Sequence, residues 1–551
     1  MKKLTLSLLS FLLSFSMFAG GIVTNTNQSA AWTRMMVRDA STDVDAVFYN
    51  PAGLTKLSDG LHISINNQTI GQVKTVSTAY EYLNNAPVEY EGKISAPIFP
   101  GFYAAYKTGN WAFSFGFNGI GGGGSADFAT GLPSMELPVA TMVPMFASQG
   151  LNVTDYRMNM NFKGSSIYFG FQVGASYAIN EHISVYAGGR YVMAKNTYEG
   201  ELKDIEIYAD GAWTTPGAYL TGVSAQATAG ATQLYGTASL LDPFLAMPGG
   251  GDLTLAQAQA YGFLTAEQVA GLEGGLSNFG IDPTGFTIKD VNSAYNVLGD
   301  DYSSKAAQLL GMATVVDAQT ADQKAEVTQT GNGFTPIVGL NISAMDNKLN
   351  IGMKYEFKTN LILTNETTLD FNTAWDASGN VTESMFPDGK EINADMPAMF
   401  SIGVKYQVLD ALSVQAGFHT YFDGQVDWDN VVDVKGNSFE YALGAEYNVT
   451  DNILVSAGWL MTRTSVRESY QTDLSYSLNT NTFGAGGMYK INDMFSVELG
   501  AFYTLYEDAV VSKYYDSFPT FYDETYKKTA WGVGVGVNIN LFGGSTASAE
   551  E

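Results

Sequence analysis

Cysteine is absent from the 551 residues, so disulfides and thiolate metal sites are excluded. Charge is scarce: 15% of residues are charged, while 46% are hydrophobic and 13% aromatic. Soluble domains usually carry about 25% charged residues. Basic residues are scarcest, with 28 Lys and Arg against 55 Asp and Glu and a net charge of −27. That balance argues against nucleic acid, whose phosphates recruit Lys and Arg. It leaves acidic loops able to meet a lipopolysaccharide surface through divalent cations. Histidine is limited to His62, His182 and His419, and no two have a metal-ligand spacing such as His-x-x-x-His. No metal and no cofactor are expected. Long hydrophobic runs are missing too. The one apolar stretch, residues 4–19, follows Lys2 and Lys3 and is interrupted by Ser7, Ser10, Ser14 and Ser16. It falls short of the ~20 apolar residues a membrane helix needs. A basic start, a short apolar stretch and then Ala19, Gly20 and Gly21 read as a secretory signal peptide over residues 1–19. The mean hydropathy of −0.01 is too polar for a bundle of membrane helices.

What the sequence has instead is alternation. Successive side chains of a strand point to opposite faces, so a strand between lipid and a wet lumen alternates apolar with polar. Near the C-terminus Trp531, Val533, Val535, Val537, Ile539 and Leu541 share one parity. Gly532, Gly534, Gly536, Asn538 and Asn540 share the other, an order that no 3.6-residue period keeps. Residues 111–118, 167–177, 351–358 and 495–505 repeat the pattern. Soluble sandwiches alternate as well. Here the polar parity carries Gly, Asn, Lys and Glu, and the apolar parity ends in Trp, Tyr and Phe, as membrane interfaces favour. Six short connections, at 107–110, 180–181, 346–348, 409–410, 450–452 and 492–493, each hold Asn or Asp, which tolerate turn geometry. Six turns join twelve strands; a first strand from about Leu61 and a last ending at Phe542 make fourteen. Each is expected to span about 9–11 residues. The fold class is all-β: a transmembrane antiparallel β-barrel of fourteen strands over residues 59–542. It carries a large outside insertion at about 208–333 and a polar tail at 543–551.

Residues 20–58 do not alternate. Residues 29–37 are read as a short helix and 42–48 as another. Pro51 then pushes Asn50 toward an extended backbone, and Gly53 suits a reversal. Trp32, Met35, Met36, Val44, Val47, Phe48 and Tyr49 call for burial, and a fourteen-strand lumen is wide enough to need filling. A small N-terminal helical hatch inside the lumen follows.

The stretch Asp43-Val44-Asp45-Ala46-Val47-Phe48-Tyr49-Asn50-Pro51-Ala52-Gly53-Leu54 resembles the hatch of the FadL-type family. These are outer-membrane transporters of long-chain fatty acids and aromatic hydrocarbons. Lys354-Tyr355-Glu356-Phe357-Lys358 and Asp395-Met396-Pro397-Ala398-Met399-Phe400 are similar to barrel strands of that family. The likeness spans most of the chain and is strongest in the hatch. The resemblance implies a monomeric barrel in the bacterial outer membrane, among lipid and lipopolysaccharide, plugged by its own N-terminus. It implies loops that collect a hydrophobic small molecule and a kinked third strand that opens the wall sideways. By matching position, Asn50, Pro51 and Ala52, with Gly53 beside them, belong to the hatch motif linked to gating. Two features depart from the family: the insertion is long, and a polar tail follows the last strand where a terminal aromatic is commoner.

The third strand starts at Trp111 and meets Gly119-Ile120-Gly121-Gly122-Gly123-Gly124. Glycine in a strand marks a bulge or bend, so Gly119, Gly121, Gly122 and Gly123 are candidates for a lateral-opening kink. The alternative is that they begin an outside loop. Leu241, Phe244, Leu245 and Met247, and in an earlier loop Met142 and Met145, form apolar patches of the kind that capture ligands. The alternative is a packed cap with its own core. Thr265 caps one helix start, and 303–327 is read as a second helix. Lumen parity places Arg190, Lys354, Lys358 and Lys405 inside, as candidate partners for a fatty carboxylate, unless they pair with lumen carboxylates such as Glu356 and Glu498. His62 and His419 also face the lumen. A barrel lipase would need a serine–histidine couple, and parity identifies none, so no catalytic residue is named and no enzyme is expected. Gly532-Val-Gly-Val-Gly is no nucleotide loop, since no helix follows it. The reading is facilitated diffusion of fatty acids or aromatic hydrocarbons, through the lumen or the wall. Its rival is a surface barrel with a fixed plug whose loops bind partners or polymers.

Overall fold

The computed structural model describes residues 24–25, 29–429 and 434–541; the expected signal peptide, the polar tail and Phe542 lie outside them. Eighteen hydrogen-bonded segments form one sheet. Four are short extensions or a return, at 212–214, 362–369, 391–393 and 509–515, and the rest are fourteen staves. They are β1 (Gly60–Thr78), β2 (Val88–Thr108), β3 (Trp111–Phe128), β4 (Val153–Ala178), β5 (Ile183–Ala209), β6 (Gln323–Ala344), β7 (Leu349–Glu356), β8 (Met399–Leu409), β9 (Leu412–Tyr421), β10 (Ser438–Asn448), β11 (Ile453–Arg463), β12 (Thr480–Lys490), β13 (Phe495–Tyr506) and β14 (Thr520–Leu541). Each pairs antiparallel with the next, and β1 also pairs with β14, so the sheet closes and has no free edge.

All six Asn- and Asp-bearing turns join the staves where the spacing predicts. In the β6–β7 turn Met345, Asp346 and Asn347 all have positive φ, a backbone that Asp and Asn tolerate better than most residues. The apolar parity faces outward. Phe113, Val173, Val185, Val404, Leu443, Val455, Leu499 and Val535 are exposed on the outer face, where only lipid can shield them. Tyr106, Trp111, Tyr177, Tyr447 and Tyr489 ring the turn end of this band, and Tyr191, Phe334, Tyr441, Phe483 and Trp531 its other end. These are the two interfacial girdles of a membrane barrel.

One expectation needs correction. Strands of 9–11 residues describe only half of the wall. β7–β13 run 8 to 12 residues, whereas β1–β6 and β14 run 18 to 27. The long staves continue past the lipid because loop side chains cover their upper faces: Tyr80, Tyr156, Ile205 and Ile207 share one core with the β3–β4 loop.

The hatch fills the lumen. It comprises α1 (Ala30–Met35), α2 (Ala46–Tyr49) and a 3-10 turn at Pro51–Lys56, both helices shorter than expected. Ser29 caps α1, its Oγ accepting from Trp32 N at 3.0 Å. Glycine on the lumen parity lets the hatch backbone lie directly on the wall: a methyl group at Gly458 would overlap Met35 O, and one at Gly403 would overlap Asp39.

The β3–β4 loop forms α3 (Pro133–Ser148). The insertion occupies 210–322, narrower than 208–333, because β5 runs on to Ala209 and β6 begins at Gln323. It contains α4 (Pro216–Ser239), α5 (Asp242–Leu245), α6 (Leu255–Ala260), α7 (Ala266–Asn278) and α8 (Ile288–Thr320). Thr265 does cap α7, in a box with Gln268. The second helix starts well before residue 303, because Thr287 and Asp290 form a capping box of their own.

Candidate functional site

The third stave does not end at its glycines. It continues through them to Phe128, paired with β4 all the way, with bulges between Gly119 and Gly121 and between Gly122 and Gly124. Gly122 and Gly124 have φ of +83° and +91°, which an L side chain rarely adopts. The bulges carry β3 away from β2. Those two staves pair over 101–108 with 111–118, and again over 92–95 with 125–128, but not between. The gap faces Ala96-Pro97-Ile98-Phe99-Pro100, whose two prolines have no N–H to donate.

Lipid cannot satisfy the backbone freed at such a gap. Neighbouring groups do so instead. Pro97 O accepts from Thr69 Oγ1 at 2.9 Å, and Phe99 N donates to Asn67 Oδ1 at 3.1 Å. On the lumen side the start of the hatch does the same: Thr24 bridges to Gly121, and Asn25 N donates to Ile120 O at 2.8 Å. The Phe99 ring covers the space where Gly119 lacks a side chain.

Behind the gap lies a lumen cavity of about 60 Å³. Asn25, Ala96, Phe99 and Gly122 line it at the gap, Trp32 of α1 below, and Tyr476 and Leu478 above. Trp32 meets Phe502 edge-on at 6.2 Å. Lys528 also lines this cavity, its ammonium 5.1 Å from the Tyr506 ring. A groove of about 80 Å³ runs between α3, the end of α8 and the hairpin of Asn372–Trp375 with Val381–Ser384. Met135, Met142, Phe371 and Trp375 line it.

The candidates from sequence scatter over these features. Met142 lines the groove, and Met145 packs in the core beside it. Leu241, Phe244 and Leu245 pack in the separate core of α4–α8, and Met247 is exposed, so these four line neither cavity. The four cations face carboxylates. Arg190 clasps Glu356 with two bonds, at 2.6 and 2.9 Å. Lys354 pairs with Glu356 at 2.7 Å and donates to Phe48 O at 2.7 Å. Lys405 lies 3.4 Å from Glu446, and Lys358, past the end of β7, 2.8 Å from Asp395. Arg190 and Lys354 also sit over the Phe48 ring, at 5.0 and 4.5 Å.

The hatch motif is equally engaged. Asn50 Nδ2 donates to Ser41 O at 2.9 Å and to Asn341 Oδ1 at 2.7 Å. Ser176 and Ser184 donate to the carbonyls of Pro51 and Ala52 at 2.6 and 2.7 Å. A side chain on Gly53 would strike Ser41 O and the Asn50 amide. The residues that sequence reasoning missed are the charges of the hatch itself. Arg34 pairs with Glu446 at 2.7 Å and Glu498 at 3.5 Å. Arg38 pairs with Asp43 and, at 2.8 Å, with Asp45. His419 stands between Asp39 at 2.6 Å and Glu440 at 2.9 Å. Their signal was present: Arg34, Arg38 and Asp39 are charges within a stretch of otherwise buried hatch.

A closed fourteen-stave barrel, plugged by its N-terminus and banded for lipid, is the architecture of the FadL-type outer-membrane transporters. Among solved structures, the chain is similar to a Pseudomonas aeruginosa FadL homologue, at a TM-score of 0.55 and 12% identity over 96% of this chain and 100% of that one. It is also similar to a deletion mutant of the monoaromatic hydrocarbon channel TodX, at a TM-score of 0.51 and 12% identity over 94% and 99%. The likeness is one of fold. No family model matches the sequence, and no curated protein does. Among the described residues no helix is long and apolar enough to cross a membrane, and no group of three or more His, Cys, Asp or Glu is placed to hold a metal.

Proposed function

We propose that this chain is a monomeric outer-membrane transporter that passes hydrophobic small molecules by facilitated diffusion and releases them sideways through the wall. One observation carries the reading: the lumen cavity and the β2–β3 gap share Ala96, Phe99 and Gly122. A molecule captured in the groove under α3 sheds water at about 25 cal/mol per Å² of apolar surface. It moves into the cavity above Trp32 and leaves between Phe99 and the glycines into lipid, with no aqueous step. Gly119, Gly121, Gly122 and Gly123 form the kink that makes this exit.

The hatch serves as a floor. Lifting it would part Arg34 and Arg38 from Glu446 of the wall, and His419 of the wall from Asp39, and breaking one such pair costs about 3–5 kcal/mol. Gating falls instead on the lighter contacts at the gap, the Asn25–Ile120 bond and the Phe99 ring. Asn50, Pro51, Ala52 and Gly53 hold the lower hatch against β4, β5 and β6 while that gate opens. The description of a channel with the same fold as one for monoaromatic hydrocarbons agrees with this reading. Uptake of labelled oleate and toluene by cells with and without the protein tests it. At least one compound should enter faster with the protein present; equal entry of both contradicts transport.

A further inference from the structure

We infer that the outer face of the hairpin joining β13 to β14 is a saccharide platform, which docks the core oligosaccharide of the lipopolysaccharide around the barrel. This site is separate from the transport path.

The hairpin, formed by 509–515 and the upper part of β14, carries apolar residues on both parities. The inner parity has a core. Val511 and Tyr526 pack with Val76 and Tyr476, and Tyr515 and Tyr522 each meet the Tyr80 ring edge-on, at 5.5 and 5.4 Å. The outer parity has none: Phe521 is 73% exposed, Val510 62% and Tyr514 49%. Tyr514 and Phe521 are partners in the register, their rings 4.9 Å apart. Ser512 and Asp523 form the next pair on the same face. The inner core fixes the hairpin, so the outer rings are held ready for a ligand.

Lipid cannot cover these rings. Trp531 marks the upper girdle, and the outward residues of β14 above it, Thr529, Lys527, Thr525 and Asp523, are polar. At roughly 3.4 Å per residue and a tilt of about 40°, Phe521 stands about 25 Å above the girdle. The headgroup region is only about 5–8 Å deep. Over the remaining height the outer leaflet of an outer membrane presents sugar. Exposed apolar patches rimmed by polar groups mark contact surfaces. The electron-rich face of an aromatic ring attracts the C–H face of a pyranose, and a hydroxyl or carboxylate beside it bonds the sugar hydroxyls. Phosphate fits poorly. The one cation of residues 509–525, Lys513, lies on the inner parity and pairs with Glu524 at 2.6 Å. Asp523 is the charge that remains beside the rings. The occupant is therefore neutral sugar, above the phosphates of the headgroup layer.

The test uses the full-length protein in phospholipid nanodiscs. The probe is core oligosaccharide released by mild acid from the lipopolysaccharide of its native membrane. Binding is read by titrating saturation transfer from protein to sugar protons. The native protein should bind, and Tyr514→Ser combined with Phe521→Ser should weaken binding about tenfold, the worth of two stacking rings. Phe521→Trp keeps a ring in place and should retain the affinity, and Lys527→Ala should leave it unchanged. Both rings are exposed, so the double variant should keep the native melting midpoint. If it does not, Phe521→Ser alone replaces it, with an expected weakening of about threefold. Absence of binding to the native protein overturns the inference, as does binding that survives loss of the rings. Binding that is lost in Lys527→Ala but kept without the rings marks a phosphate contact and overturns it too. So does a native dimer that ignores the oligosaccharide and that the double variant abolishes, since the occupant is then a second copy.

Discussion

The two halves of the wall are built differently, and the difference locates the door. The short staves, β7–β13, grip the hatch with charge: Glu446 and Glu498 hold Arg34, and His419 holds Asp39. Glycines at 403 and 458 bring the hatch backbone against that wall. The tall half, β1–β6 with β14, contains the unpaired seam between β2 and β3. There the hatch is held by Asn25 bonded to Ile120, and the opening is covered by the Phe99 ring. A plug fixed by buried ion pairs on one side makes a poor gate; a seam closed by one ring and a few backbone bonds makes a good one.

The contrast breaks most readily on the gripping side. Arg34→Met takes from the buried wall carboxylates Glu446 and Glu498 the hatch cation that holds them. A loss of about 3–5 kcal/mol is expected, read as a lower urea midpoint for the folded barrel in detergent. An unchanged midpoint would mean that charge does not hold the hatch. A smaller effect follows from Gly458→Ala, whose methyl group meets the carbonyl of Met35, a backbone atom that cannot swing aside. That overpacking should cost about 1–3 kcal/mol. Gly119→Ala is its counterpart on the tall side, where the methyl group meets the movable Phe99 ring. Its cost should stay below about 1 kcal/mol, while the uptake rate changes. Equal destabilisation by the two substitutions would erase the distinction between the halves.

A pH dependence is also expected on the short side. Asp423, just above β9, is buried and accepts from Ser438 N at 3.0 Å, and burial pushes its carboxyl up from 3.8 to about 6. The folded state therefore holds this proton more tightly than the unfolded chain. The contribution is fully present below pH 3.8 and is lost as pH rises through about 6. Thermal melts should show a decline across that window that Asp423→Asn flattens; the same slope in the variant rules out this group as its source.

Much of the frame was legible because it is written locally. The Asn- and Asp-bearing turns and the two-residue parity require no distant partner, and together they yield the stave count and the lipid face. Stave length was not legible, since the upper parts of β1–β6 are covered by loop residues far away in sequence, such as Val139 and Ala313. The early start of α8 was signalled by Thr287 and Asp290 but hidden by a helix whose apolar positions are sparse. At the site, the glycine run of β3 was readable as a kink or as a loop, and only pairing with β2 separates the two. Parity placed Arg190, Lys354 and Lys405 inside the barrel. Lys354 shares β7 with its partner Glu356, but Glu356 for Arg190 and Glu446 for Lys405 lie on other strands, and nothing local marks those two pairs.

The central claim is passage through the seam. Because the chain has no cysteine, Ala96→Cys supplies a single thiol where cavity and gap meet. A bulky maleimide attached there should reduce uptake to the level of cells lacking the protein, while the same label on Val533→Cys, on the lipid face of β14, should leave uptake unchanged. Undiminished uptake by the fully labelled Ala96→Cys protein would contradict exit through the wall.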